Sequence, residues 1–277
     1  MKFNYFQVSF KYTFLITIIF IFIFPTFWLF TTSIKFEIDA LQFPPIFFPE
    51  RITIQNYIKV IDSENIFNYF TNSFSISILS TFFGVILGSM AAFSLSKYYL
   101  SFRIRQGLLI WILIIRIFPP IVTAIPYFVI MRNLKLTDTQ LGLIITHTTF
   151  VLPFVIWLML GFFQDLPKEI DQAAIIDGCS FKQRFFHISL PLTLPGLATT
   201  SIFTFIYSWT EFLYASMLTS RNAKTLPVVI AGFMSDKFLR WGEMTALASL
   251  MIVPVLIFAF WAQKYLISGL TFGAVKE

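Results

Sequence analysis

Cysteine occurs once in this chain, at Cys179, and histidine twice, at His147 and His187. A single thiol builds no disulfide framework, and ligands this sparse leave no plausible zinc site. Neither histidine has an acidic partner at helical spacing, so the constellation that an intramembrane enzyme needs is missing and no catalytic residue is assigned. Charge is scarce as well, with Asp, Glu, Lys and Arg together making up 12% of 277 residues. The net charge of +6 is scattered over connecting segments and forms no aromatic-interleaved basic stripe, which argues against nucleic acid. No GxxxxGK[ST] phosphate loop is present, so any ATP-driven work has to be done by a partner. Absent too is the apolar–polar alternation of a membrane β-barrel: "FLITIIFIFIFPTFWLF" is continuously apolar.

What the chain has instead is hydrophobic length. Fully 57% of it is hydrophobic and phenylalanine alone contributes 37 residues, a composition foreign to soluble domains. A hydrocarbon core of ~30 Å takes about 20 apolar residues per helix. Runs over 12–32, 71–95, 107–131, 139–163, 194–218 and 244–266 meet that requirement. The expectation is an all-α membrane protein with six transmembrane helices, residues 1–277 forming a single transmembrane domain. The first run has Lys2 and Lys11 before it but is too long for a signal peptide and no A-x-A site follows, so it is expected to remain as an anchor. Basic residues divide almost evenly between the two sets of loops and do not orient the chain. Only "SKYYLSFRIRQ", three basic residues without an acid, leans towards the inside.

Several spans carry features that a plain anchor does not need. Residues 33–70 form the largest loop, turn-rich at "FPPIFFPE", with a short amphipathic helix expected around 54–61. Gly84 and Gly88 form a GxxxG pair of the kind that lets membrane helices approach closely, though one such pair is common by chance. The third run holds "RIFPPIVTAIPYFVI", whose three prolines must kink or break the helix. Arg116 lies in the same run and should face inwards and be paired. In the fifth run, "YSWTEFLYASML", Glu211 is the candidate counter-charge. Parallel spans would offset the two by roughly 7 Å.

Residues 165–192 are different in kind. Pro167 suits a first helical turn, Glu169 and Asp171 suit its positive end, and Gly178 suits a left-handed C-terminal cap. Ser180 with Gln183 three residues on is a capping box for a second helix, which places Phe181, Phe185 and Ile188 along one side. Ala173 and Ala174 give the first helix a small-residue side. The segment reads as helix, glycine hinge, helix, outside the hydrocarbon. It is either a docking element or an interfacial connector of spans four and five.

This stretch resembles the EAA loop of binding-protein-dependent ABC importer permeases, through Asp171, Gln172, Ala173, Ala174, Ile176, Asp177, Gly178, Ile188, Leu190 and Pro191. "SWTEFLYA" is similar to the family's Trp-Asn-Glu-Phe segment, with Thr210 for the usual Asn, and "RIFPP" with "IPYF" is similar to the third span of carbohydrate permeases. The C-terminus "GLTFGAVKE" resembles the tail of the second, six-span permease of maltose- and trehalose-type importers. The resemblance implies that 165–192 is a cytoplasmic coupling-helix loop docking on an ATPase subunit, with Glu169 beside the motif and both termini cytoplasmic. It implies a periplasmic loop at 33–70 and a cytoplasmic tail at 267–277 whose Gly269, Thr271, Gly273 and Lys276 reach towards the ATPases. Implied partners are a second transmembrane permease, two cytoplasmic ATPase subunits that bind ATP and Mg, an extracytoplasmic sugar-binding protein and membrane lipid. The chain itself would hold no cofactor, no metal and no enzymatic activity, and would sit in a bacterial inner membrane. Gln172 replaces the Glu common just before the alanines, so an ion pair to an ATPase arginine would fall to Asp171 or become a hydrogen bond from Gln172.

The substrate class implied is a sugar, a disaccharide such as trehalose or maltose in the first place, with a polyol or glycerol-phosphate as the alternative. Tyr127, Tyr207, Trp209, Thr210 and Glu211 are candidate substrate contacts, since rings stack on sugars and Thr and Glu hydrogen-bond them. Packing or an interfacial belt would explain the same aromatic residues. An ion-coupled secondary transporter is the rival of another class, with Glu211 as its mid-span acid, but no convincing repeat relates the two halves.

Overall fold

The computed structural model describes residues 5–63, 65–97, 101–235 and 238–271. Among them the regular structure is helical except for a two-residue antiparallel pairing, β1 (Met234–Ser235) with β2 (Phe238–Leu239). Four helices are long and apolar enough to cross a membrane: α1 (Tyr5–Ser33), α4 (Ile66–Lys97), α7 (Gln140–Gln164) and α14 (Trp241–Thr271). Two bent helix pairs raise the number to six if each is one span.

The first bent pair is α5 (Phe102–Ile117) and α6 (Pro120–Asn133), which meet at 94°. The expected third span of 107–131 is therefore not one rod. Adjacent prolines explain the position of the break, because the first of them forces Phe118 out of helical geometry, at ψ 128°. Pro126 sits inside α6 without breaking it. The expected fifth span of 194–218 is likewise interrupted. Helix α11 (Leu194–Trp209) stops at Thr210, and a separate α12 (Leu213–Leu218) follows. At its other end α11 turns through 81° from the segment 181–192, where Pro191 and Pro195 cluster.

Contacts divide the chain into two compact units. The first comprises residues 1–67 and 229–253. In it α1 exposes an apolar surface along most of its length and buries only its last turn, Thr31 to Ser33. After it come α2 (Glu37–Ala40) and α3 (Gln55–Ile61), the latter where the short amphipathic helix was expected. The Glu37 carboxylate accepts from the backbone N–H groups of Trp241 and Gly242 at 2.6 and 3.0 Å, neutralising the positive end of α14. Asn56 donates to the carbonyls of Ser33 and Lys35, pinning α3 to the end of α1. Lys35 is buried with its ammonium 4.2 Å from the Trp28 ring centre. Burial pushes its pKa down, and Asp39 offsets part of that.

The second unit comprises 68–228 and 254–277, and α7 is its axis. Gly84 and Gly88 of α4 face Val151 and Val155 of α7 so closely that a Cβ at Gly84 would stand 2.7 Å from Val151, and one at Gly88 would overlap Val155. The GxxxG pair is thus a real helix crossing. At one end of α7, Leu143 and Ile144 pack with Ile76, Tyr214, Ala215 and Leu218; at the other, Met159 and Phe163 pack with Phe93 and Phe185. Before α7, Asp138 has a positive φ of 57° and turns its carboxylate to the backbone N–H groups of Ser220, Arg221, Asn222 and Ala223. Burial pushes this carboxyl's pKa up, but the four N–H donors outweigh it and hold it well below the usual carboxylate range.

Candidate functional site

Two regions of the second unit bear on function. The first is the segment after α7. Helix α8 (Lys168–Ile176) starts one residue past Pro167, which serves as the flanking cap with ψ 133°. It ends as its sequence requires: Gly178 has φ +77°, and the Cys179 N–H bonds back to the Ala174 carbonyl at 2.9 Å. Ser180 and Gln183 form the full capping box on α9 (Phe181–Gln183). The backbone then widens into a π-helix, Arg184–Ser189, and closes with α10 (Leu190–Leu192). Phe181 and Phe185 pack their rings at a tilt against Phe93 with ring centres 4.9 and 5.2 Å away, which anchors the segment to α4.

Charge holds the two halves of this segment together. Arg184 Nε and Nη2 donate to Asp171 Oδ1 at 2.9 and 2.8 Å, and Nη2 donates to Oδ2 at 2.6 Å. This planar, bidentate geometry is the strong form of the interaction. Asp171 is thereby engaged inside the chain, while Gln172 beside it remains exposed. Glu169, Gln172, Ala173, Ile176, Asp177, Gly178 and Pro191 are exposed, and Ala174 alone of the motif is buried. The exposed set forms a surface with an apolar centre, since Ile176 is 84% exposed.

The second region is a cavity of about 290 Å³ between the broken pair α5–α6, helix α7 and the end of α11. Its wall includes Arg116, Thr123, Tyr127, Phe150, Phe154, Tyr207 and Tyr214. Tyr214 meets Tyr127 and Phe150 at 5.5 Å, and Phe154 meets Tyr207 at 5.2 Å, so the wall is a continuous aromatic surface carrying three phenol groups. The break between α5 and α6 is what delivers Arg116 from α5 and Thr123 and Tyr127 from α6 to one place.

The candidate Arg116–Glu211 pair does not form among the described residues. Arg116 sits on the last turn of α5 with its guanidinium 5.1 Å from the Phe154 ring centre. Glu211 lies beyond the end of α11, where its two oxygens accept from Tyr214 N at 2.8 Å and Ala215 N at 3.0 Å. His147 of α7 completes the site, Nε2 standing 3.2 Å from Glu211 Oε2 and Nδ1 2.8 Å from Ser208 Oγ. Both breaks take the two charges out of the helical register from which their offset was reckoned.

Residues 84–271 match the model of the binding-protein-dependent transport system inner membrane component. The chain belongs to this family. This permease is 34% identical over 255 residues to the trehalose transport system permease protein SugB of Mycobacterium tuberculosis, covering 91% of the chain and 92% of that protein. It is 30% identical over 255 residues to the diacetylchitobiose uptake system permease protein DasC of Streptomyces coelicolor, covering 92% of each. Its fold matches a chain of the bacterial ABC transporter that imports the acidic polysaccharide alginate, with a TM-score of 0.77, 21% identity and coverage of 96% and 98%. As the inner-membrane component, the permease is no enzyme; ATP hydrolysis resides in separate ATPase subunits.

The permease sorts its candidate residues sharply. Tyr127 and Tyr207 line the cavity, as does Arg116. Trp209 does not: it is 1% exposed, packed against Phe205 and Phe70 with ring centres 5.6 and 5.9 Å away. Thr210 bonds back to the Ile206 carbonyl, and Glu211 is a cap. Of the tail candidates, Gly269 and Thr271 fall in the last turn of α14, while Gly273 and Lys276 lie outside the described residues. Sequence reasoning missed Tyr214, Thr123 and His147. Tyr214 was the most findable, lying three residues after Glu211 on a helix interrupted by a non-helical turn.

Proposed function

We propose that this permease forms half of the passage of an ATP-driven importer that carries a sugar by alternating access. The observation that carries the proposal is the aromatic cavity at the third-span break. Three tyrosines supply ring faces for stacking and hydroxyls for hydrogen bonds, and Arg116 and Thr123 supply further polar contacts. At about 290 Å³ it is at the small end of ligand sites, as suits one of two facing subunits. The trehalose and diacetylchitobiose permeases among its relatives support a glycoside as cargo. Each bent pair counts as one span in this reading, giving six, with both termini cytoplasmic and the chain in a bacterial inner membrane.

Residues 165–192 are the coupling loop in the same reading. The exposed face around Gln172, Ala173 and Ile176 docks on one of two ATPase subunits, which hold ATP and Mg. A second permease closes the cavity, and an extracytoplasmic binding protein delivers the sugar. Closure of the ATPases moves the docked loop, and Phe181 and Phe185 pass that motion to α4 through Phe93. One observation favours a second cargo class. No carboxylate stands within ion-pair distance of Arg116 among the described residues, and an unpaired cation in a span is costly, so a glycerol-phosphate would satisfy it.

The test is ATP hydrolysis by the chain co-expressed with its genomic neighbours and reconstituted in lipid. Trehalose, maltose and glycerol 3-phosphate are each supplied with the binding protein. Stimulation by one of them is the expected outcome, and Gly178→Val, which strains a left-handed position, should abolish it by misaligning the loop. If no ATPase co-purifies, or hydrolysis ignores every compound, the importer reading fails; wild-type uptake in Gly178→Val removes the coupling role of the loop.

A further inference from the structure

The interruption of the fifth span places a buried ionisable cluster behind the cavity wall. His147 is 1% exposed on α7, and the Glu211 side chain facing it is 8% exposed. Ser208, at the end of α11, is buried against the other ring nitrogen of His147. None of these three side chains lines the cavity. Their effect on it runs through α12. Six residues are too few to hold a helix alone, so α12 depends on what fixes its first turn. That fixture is the Glu211 carboxylate, which accepts from the N–H groups of Tyr214 and Ala215.

Tyr214 then enters the cavity wall. Its hydroxyl stands 2.6 Å from Thr123 Oγ1, and the Thr123 hydroxyl donates to the Pro120 carbonyl at 2.9 Å, so the tyrosine is the donor in the pair. Pro120 is the first residue of α6, just past the break in the third span. A single line of contacts therefore runs from His147 through Glu211 and the first turn of α12 to Tyr214, Thr123 and the start of α6. It ties the break in one span to the break in another, across the cavity that both border.

We infer that His147 is a positioning residue for the substrate cavity: by holding Glu211 it sets α12, and through Tyr214 and Thr123 it fixes the cavity-lining face of α6. This rests on the cavity being the cargo site. Packing alone would also bury a histidine between α7 and α11. The two cases differ in what happens when the far end of the line is cut.

The experiment is a double-mutant cycle in the complete transporter reconstituted in lipid, with its binding protein and the sugar that stimulates it. The variants are His147→Ala, Tyr214→Phe and the pair, with Tyr127→Ala as a change in the cavity wall, and each is measured for melting temperature without sugar and for the sugar concentration giving half-maximal ATPase. Tyr214→Phe alone deletes one hydrogen bond and should raise the half-saturating concentration about threefold to fivefold. In the His147→Ala background, where Tyr214 has already lost its position, the same change should do almost nothing, in half-saturation and in melting temperature alike. His147→Gln, which keeps a polar group against Glu211, should restore the sensitivity to Tyr214→Phe. Ser208→Ala loosens the ring without opening a large void, and serves if His147→Ala does not assemble.

Equal shifts from Tyr214→Phe in both backgrounds overturn the inference, because a merely packed histidine gives additive effects. Coupling in melting temperature with no change of half-saturation in any variant, Tyr127→Ala included, upholds the line of contacts and refutes the cavity as the cargo site.

Discussion

Asp138 shows how much a single side chain can settle. With φ at 57° it turns back on the chain after α12 and receives four consecutive backbone N–H groups, together with the Asn222 side-chain amide at 3.1 Å. Those donors stabilise the carboxylate over the acid, so the folded pKa lies below the unfolded value of about 3.9. A group lowered in this way contributes its stability in full above the unfolded value and loses it as pH falls towards the folded one. Asp138→Asn should therefore lower the melting temperature at neutral pH, costing about 1–3 kcal/mol for weakened charge-assisted bonds. The gap between variant and wild type should stay constant down to about pH 4 and narrow only below it. Thermal unfolding in detergent across that range checks both parts; a gap that already closes between pH 7 and 5 contradicts the assigned cause. Residue by residue, legibility in the sequence followed locality. Gly178, Ser180 and Gln183 act within a few positions of one another, and all three do what their types foretell. Asp171–Arg184 and His147–Glu211 join segments whose relative rotation no local spacing encodes, and neither was anticipated.

Helices were legible by the same measure. Long apolar runs mark α1, α4, α7 and α14, and adjacent prolines mark a break in the third run, though not its angle of 94°. The interruption at residues 210–212 has no proline or glycine to announce it. It is produced by Glu211, whose carboxylate bonds to N–H groups ahead of it and so starts a new helix. The glycines of α4 present the opposite case, a weak signal with a definite structural use. Their missing side chains bring α4 against Val151 and Val155 of α7, where van der Waals contact is the main attraction available to helices in lipid. Gly88→Leu must push the helices apart, since even a Cβ overlaps Val155. Overpacking of this kind costs about 1–3 kcal/mol or more. The expected outcome is a lower melting temperature, with part of the loss recovered by Val155→Ala, which returns the space. If Val155→Ala worsens Gly88→Leu, the two helices do not meet at this point in the membrane.

At the scale of the whole molecule, the question is which surfaces are finished within the chain and which await a partner. Helix α8 has one side that the chain completes, Asp171 being locked to Arg184 and Ala174 buried. Its other side leaves Ile176 84% exposed, next to exposed Ala173 and Gln172. An isoleucine so exposed gains little from the described residues around it, so replacing it should leave the chain's own stability nearly unchanged. Docking on an ATPase subunit would bury that side chain at the centre of an interface, where a carboxylate is poorly tolerated. Ile176→Asp should therefore unfold at the wild-type temperature when purified alone, yet retain far less ATPase through co-purification. Gln172→Ala, nearer the rim, should weaken retention only modestly. The pairing of these two measurements matters more than either, because lost retention with an unchanged melting temperature assigns Ile176 to the interface and not to the fold. Undiminished retention in Ile176→Asp would move the docking surface off this face of α8 and leave Glu169 and Asp177 as the next residues to change.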